Sequence, residues 1–164
     1  MELDAFNGAD RDAAIGLLRP CLDVDRWCAE LADGRPYDSV DDLAARAEVV
    51  AMPFTHAEVE GALAHHPRIG ERPSGPGAEA AMSRAEQAGV DPADAQVAAA
   101  LAEGNRAYEE RFGRVFLIRA AGRSSRDILD ALTERLAHTP DDEEPVVADQ
   151  LRQIAVLRLR GLFA

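Results

Sequence analysis

A histidine immediately before a proline is the residue of this chain best placed for proton transfer. His66 precedes Pro67, and proline disfavours α geometry in the residue before it. The imidazole therefore stands at a helix end, at the lip of an irregular segment, and it titrates near neutrality, where it can give or take a proton. A surface histidine set favourably against a helix C-terminal dipole would occupy the same place. Ser83, Glu86 and Gln87 follow at i, i+3 and i+4, which puts a hydroxyl, a carboxylate and an amide on one helical face. Turned inward, that face could hold a small ligand; turned outward, it is a solvated stripe. Asn105 shares a face with Leu101, Tyr108 and Phe112, and a buried amide needs partners. Arg158 lies on the stripe of Val147, Leu151, Ile154 and Leu162. An inward arginine pairs with a carboxylate or a ligand unless it snorkels to the surface.

Other chemistries lack their residues. The four histidines are His56, His65, His66 and His138. His56 is far along the chain from His65, and adjacent His65 and His66 diverge by about 100° on a helix. The sequence contains no Cys-x-x-Cys, no His-Glu-x-x-His and no glycine-rich phosphate loop after a strand, so neither a metal site nor a nucleotide cofactor is expected. Thirty acidic residues against eighteen basic ones give a net charge of -12, and every one of those bases is arginine. That balance, without a basic stripe, argues against nucleic acid and against an anionic membrane surface. No run approaches the roughly 18 apolar residues of a membrane span. The N-terminal residues have neither a basic nor an apolar leader region. Cys21 and Cys28 are seven residues apart, about 10 Å along a helix, too far for an unstrained disulfide. Two buried thiols in a reducing cytoplasm are expected.

Elements that would position these groups are almost all helical. With 164 residues, 47% hydrophobic and 29% charged, the chain fits one domain, 1–164, with a core. Helical patterns run from Asp10 to Leu18 and from Val24 to Ala32, with Gly34 and Pro36 closing the second. Ser39 caps a helix to about Ala51, and Thr55 with Glu58 forms a capping box for a helix reaching His65 or His66. Pro67 to Gly77 lacks periodicity and carries three prolines and three glycines; such a stretch inside a small domain is more often functional than idle. Helix resumes near Ala78 and stops at Gly89. Asp91-Pro92 is a start signal for a long helix to Phe112, which Gly113 ends. Residues 114–120 form a short apolar run without any partner strand, read as a buried extended entry or a helical turn. Ser124 with Asp127 opens a helix to about His138, and the acids Asp141 to Glu144 precede a last helix to about Leu162. The expected fold is an all-α, single-domain bundle of about seven to nine helices.

Taken together, these strings resemble a known family. Ala-His-His-Pro-Arg-Ile-Gly-Glu at 64–71 is followed by Ser-Arg-Ala-Glu-Gln-Ala-Gly at 83–89. Gly-Asn-Arg-Ala-Tyr-Glu-Glu-Arg-Phe-Gly occupies 104–113, Val-Phe-Leu-Ile-Arg-Ala-Ala-Gly-Arg-Ser 115–124 and Leu-Arg-Leu 157–159. In that order they resemble the 2-oxo-4-hydroxy-4-carboxy-5-ureidoimidazoline (OHCU) decarboxylases of urate degradation, in the bacterial form His-Pro-Arg-Ile-Gly, over the whole chain. The resemblance implies a cofactor-free carboxy-lyase that converts OHCU to S-allantoin and carbon dioxide, usually as a homodimer. It implies His66 as the catalytic histidine with Pro67 framing it, and Ser83, Glu86 and Gln87 on a substrate-binding helix. It further implies ligand contacts along Phe116, Leu117, Ile118, Arg119 and Ala120, and catalytic roles for Glu86 and Arg158. Arg119 departs from the smaller residue, often cysteine, expected there; a main-chain contact would tolerate the change, whereas a side-chain contact would alter substrate fit. The rival readings are a non-catalytic helical scaffold of the same fold and a lyase acting on a related ureido acid.

Overall fold

The computed structural model describes residues 1–64, 66–69, 77–89 and 94–164. Among them there are nine α-helices, one 3₁₀ turn and no strand. The all-α expectation therefore holds. No helix among the described residues is long and apolar enough to cross a membrane. The chain forms two compact units, residues 1–62 with 152–164 and residues 63–151.

The first unit contains α1 (Leu3–Gly8), α2 (Arg11–Leu18), α3 (Asp25–Asp33), α4 (Val40–Val50), most of α5 (His56–Leu63) and the C-terminal part of α9 (Pro140–Leu162). Ser39 caps α4 as its position predicts, accepting the Asp42 N–H at 3.1 Å. The capping box of α5 also forms: Thr55 Oγ1 accepts the Glu58 N–H and Glu58 accepts the Thr55 N–H. Its helix stops at Leu63, short of the histidines. Glu58 has a second role, because Arg26 of α3 reaches it with Nε and Nη2 and gives Nη1 to the Val50 carbonyl at the end of α4. One guanidinium thus satisfies an orphan helix carbonyl and joins three helices. Trp27, fully buried, donates Nε1–H to the Ala47 carbonyl at 3.1 Å and locks α3 to α4.

Helix α1 has no counterpart in the periodicity. It is six residues long, and its N-cap Glu2 makes no side-chain cap. Its partners lie far along the chain: Arg35 Nη1 donates to the Phe6 and Ala9 carbonyls, and Asn7 exchanges two hydrogen bonds with the backbone of Tyr37. Tertiary contacts rather than local propensity make this helix. Cys21 lies in the turn after α2 rather than in a helix, and both it and Cys28 are free and buried. Burial pushes the Cys28 thiol up to about 11, so it is inert at neutral pH.

The second unit holds the end of α5, α6 (Ala78–Glu86), the 3₁₀ turn Gln87–Gly89, α7 (Ala95–Phe112), α8 (Ser125–Arg135) and the first half of α9. The start of α7 differs from the expectation: Asp94 is the N-cap, accepting the Val97 N–H at 3.1 Å, while Asp91 and Pro92 lie outside the described residues. Gly113 ends α7 in the left-handed region at φ 70°, where its N–H reaches the Glu109 carbonyl at 2.8 Å; a side chain there would be strained. Ser124 and Asp127 form the capping box of α8, which ends at Arg135 rather than His138. Helix α9 begins at Pro140, so Asp141, Asp142 and Glu143 fill its first turn instead of preceding it. Thr139-Pro140 is the start signal, with Thr139 Oγ1 accepting the Asp142 N–H. Helices α7 and α8 pack closely at Gly104, where an added Cβ would lie 2.5 Å from Leu132 Cδ2.

Candidate active site

His66 follows α5 in a non-helical position and is half-buried, with its N–H donated to the Leu63 carbonyl at 3.1 Å. The proline effect thus acts as expected. Its segment is fastened to α7 at two points one turn apart. Asn105 Nδ2 donates to the Ile69 carbonyl at 2.9 Å, and Arg68 grips Glu109 through Nε at 2.5 Å and Nη2 at 3.1 Å. The hydrogen bond from Arg68 holds the Glu109 carboxyl below the usual carboxylate range. Asn105 answers half of its need: Nδ2 is satisfied, while Oδ1 is buried without a hydrogen-bond partner. Sequence patterning placed this amide on an inward face, and the structure adds its role as an anchor for the histidine segment. His65 and residues 70–76 of the irregular stretch lie outside the described residues.

Ser83, Glu86 and Gln87 follow one another around the last turn of α6, as their spacing predicts, and the Gln87 N–H reaches the Ser83 carbonyl. Ser83 is buried at 3% exposure on α6, Glu86 ends that helix, and Gln87 opens the 3₁₀ turn. Glu86 and Gln87 are half-buried.

The 114–120 run is neither strand nor helix. Residues 115–120 are irregular, and Phe116, Leu117, Ile118 and Ala120 are buried while Arg119 is half-buried. Phe116, Ile118 and Ala120 share one apolar cluster with Ile69, Leu101, Tyr108, Ile128 and Leu132. The structure therefore brings together the end of the histidine segment and the 116–120 segment, two stretches that sequence analysis had selected separately. Arg158 belongs to the first unit, buried at 4% exposure, with Nη1 3.4 Å from the Pro20 carbonyl. The inward direction read from its helical stripe is correct.

A buried ionic network beneath the 116–120 segment escaped the sequence reading. Glu143 is 1% exposed and Arg135 5%. Glu143 Oε1 accepts Arg135 Nε at 2.8 Å, Arg135 Nη2 at 2.5 Å and the Tyr108 hydroxyl at 2.6 Å. His138 Nδ1 lies 2.8 Å from Glu143 Oε2; an ionised carboxylate only accepts, so this nitrogen carries the proton. Burial works to raise the Glu143 carboxyl, but the hydrogen bonds from Arg135, Tyr108 and His138 outweigh it and hold the carboxyl below its ordinary value. Burial, then the bond to Glu143, raises the Tyr108 hydroxyl. Arg135 completes its fork by donating Nη1 to the Leu117 carbonyl at 2.7 Å and lies 4.5 Å over the Phe116 ring. A signal was available: Arg135 continues the Ile128/Leu132 stripe, and Glu143 extends the Val147/Leu151/Arg158 stripe one turn toward the N-terminus.

Fold and site together define an all-helical protein in which a half-buried histidine sits on a short segment clamped to a neighbouring helix. A family model for OHCU decarboxylase matches residues 7–160, taking in both units. Among curated relatives, the chain is similar to the 2-oxo-4-hydroxy-4-carboxy-5-ureidoimidazoline decarboxylase of Amia calva, 35% identical over 137 residues that cover 82% of this chain and 78% of that one. It is also similar to the uric acid degradation bifunctional protein TTL of Arabidopsis thaliana, 35% identical over 148 residues, 88% of this chain and 45% of that protein. A solved structure of OHCU decarboxylase in the presence of (S)-allantoin has the same fold, with a TM-score of 0.72 at 24% identity over 94% of this chain and 99% of that one. The chain belongs to the OHCU decarboxylase family.

Proposed function

We propose that this protein decarboxylates OHCU to S-allantoin and carbon dioxide, with His66 as the proton donor. The observation that carries the reading is the half-buried His66 just after α5, on a segment anchored through Ile69 and Arg68 to α7. In OHCU the carbon that loses carbon dioxide adjoins a ring C=N bond. The C–C bond to the carboxylate breaks, its electron pair enters that C=N bond, and the ene-type product is then protonated on carbon. The substrate supplies its own electron sink, so the protein's work is to hold the carboxylate out of the ring plane, to stabilise developing charge and to deliver one proton to one face. His66 suits the last task because its ordinary pKa lies near neutrality. Glu86 and Gln87 would read the ureido and ring N–H groups, with Ser83 and Pro67 framing them. Arg158 would bind a carbonyl oxygen through its planar fork.

The decisive experiment generates OHCU in situ from urate with the two upstream enzymes and follows optically active allantoin by circular dichroism. Turnover that survives prolonged chelation and dialysis supports the reading. No acceleration over the spontaneous reaction overturns it, and activity lost to EDTA and restored by a divalent metal overturns the electron-sink argument.

Glu86→Gln exchanges a pure acceptor for a group that is half donor. Mispairing with a buried N–H costs roughly 1–3 kcal/mol, about one to two orders of magnitude in kcat/KM. Arg158→Lys keeps the charge and loses the fork, and it too should be impaired. Steady-state kinetics of either variant at the wild-type value would remove that residue from the reaction.

We further propose that the protein works as a homodimer in the cytoplasm, on the strength of the family resemblance and of the reduced, buried Cys21 and Cys28. Light scattering should give the mass of two chains; a single-chain mass with full activity would refute the dimer.

A further inference from the structure

The 116–120 segment has no helix or sheet to fix its backbone, yet a main-chain ligand contact needs a backbone fixed to a fraction of an ångström. Two side chains supply that fixation. Arg135 of α8 donates Nη1 to the Leu117 carbonyl at 2.7 Å, and Gln150 of α9 accepts the Arg119 N–H on Oε1 at 2.9 Å. These groups belong to residues two apart. Side chains thus hold the backbone at main-chain groups on either side of Ile118.

The two holds differ in kind. Arg135 is itself locked, 5% exposed, with two donors on Glu143 and its guanidinium over the Phe116 ring. Gln150 is half-buried on the same helix that carries Glu143, and a neutral amide oxygen is its working atom. The bond it makes is to main chain, so it forms whatever side chain residue 119 carries. That accounts for how this chain accommodates arginine at 119: the segment's placement there depends on the amide N–H and not on the side chain.

We infer that Gln150, acting with Arg135, is a positioning residue for substrate recognition: it fixes the backbone of the 116–120 segment so that its remaining main-chain groups are presented to OHCU. The inference rests on the proposed function, and on the reading of this segment as a main-chain contact to the ligand.

The test is made at Gln150, because Arg135 also pairs with the buried Glu143. Gln150→Met keeps the length of the side chain and removes the acceptor; Gln150→Glu keeps an acceptor and removes the donor. Both are assayed with OHCU generated in situ, at a pH where the introduced carboxylate is ionised. Loss of one neutral hydrogen bond should raise KM in Gln150→Met about three- to tenfold while kcat stays within about twofold. A merely structural loss would lower the active fraction, and with it apparent kcat, and would leave KM alone. Gln150→Glu should return KM close to the wild-type value. In amide exchange followed by NMR, the Arg119 N–H should exchange several-fold faster in Gln150→Met than in the wild type or in Gln150→Glu. An unchanged KM in Gln150→Met, or an equal loss in both variants, overturns the inference. A wild-type protein inert toward OHCU overturns the proposed function instead, and an Arg119 amide indifferent to Gln150→Met overturns the positioning whatever the substrate.

Discussion

Replacing His66 with alanine or asparagine is expected to lower kcat by about 10²–10⁴-fold, the usual range for a general acid–base residue, with Tm nearly unchanged. The stability half of this expectation follows from how the segment is held. Three of its anchors are the main-chain N–H of residue 66 on the Leu63 carbonyl, the Ile69 carbonyl on Asn105 and the Arg68 pair with Glu109. None of these requires an imidazole. The kinetic half follows from the chemistry, since neither a methyl group nor an amide delivers a proton at neutral pH. His65→Ala serves as the comparison and should retain most activity, because the family resemblance gives the proton-donor role to His66 and none to His65. Equal losses in the two variants, measured with OHCU by circular dichroism, would remove His66 as the proton donor.

Glu143→Gln is expected to destabilise the second unit by about 3–5 kcal/mol, the cost of leaving a buried charge without its partner. The substitution preserves shape but strips the counter-charge from Arg135, a residue 5% exposed. At roughly 2–4 °C per kcal/mol for a chain of this size, Tm should fall on the order of 10 °C. A pH signature accompanies it. Folding lowers the Glu143 carboxyl, because its hydrogen bonds outweigh burial. The stability it confers is therefore full above the ordinary carboxylate range near 4.3 and is lost as pH falls through the lower folded value. The variant has no such carboxyl and should show a shallower acid loss. Thermal melts across an acid series would check both points, and a neutral-pH Tm within about 2 °C of wild type would show that the pair is dispensable.

Helix boundaries set by local chemistry were legible in the sequence. Ser39, Thr55 with Glu58, Ser124 with Asp127, and Gly113 each do what their type and position require. The misplaced starts of α7 and α9 share a cause: each has two competing acid-or-proline signals within a few residues, and spacing alone does not rank them. Helix α1 was illegible because Arg35 and Tyr37 hold it from some thirty residues away. The site divides in the same manner. His66 was visible through the proline beside it, and Asn105 and Arg158 through the apolar stripes they interrupt. Arg135 and Glu143 interrupt such stripes too, but their pairing runs across a turn between two helices. The contacts of the 116–120 segment with Arg135 and Gln150 are tertiary, and no periodicity announces them.

The two clamps on the histidine segment respond differently to ionic strength. Arg68 and Glu109 form an exposed ion pair, which dissolved salt screens. Asn105 holds the Ile69 carbonyl with an uncharged amide in a buried position, where screening has little to act on. As salt rises, the Arg68–Glu109 attraction is expected to weaken while the Asn105–Ile69 hydrogen bond keeps its strength. The hold on the chain beside His66 is thus part ionic and part neutral, and the neutral part is one side chain on α7.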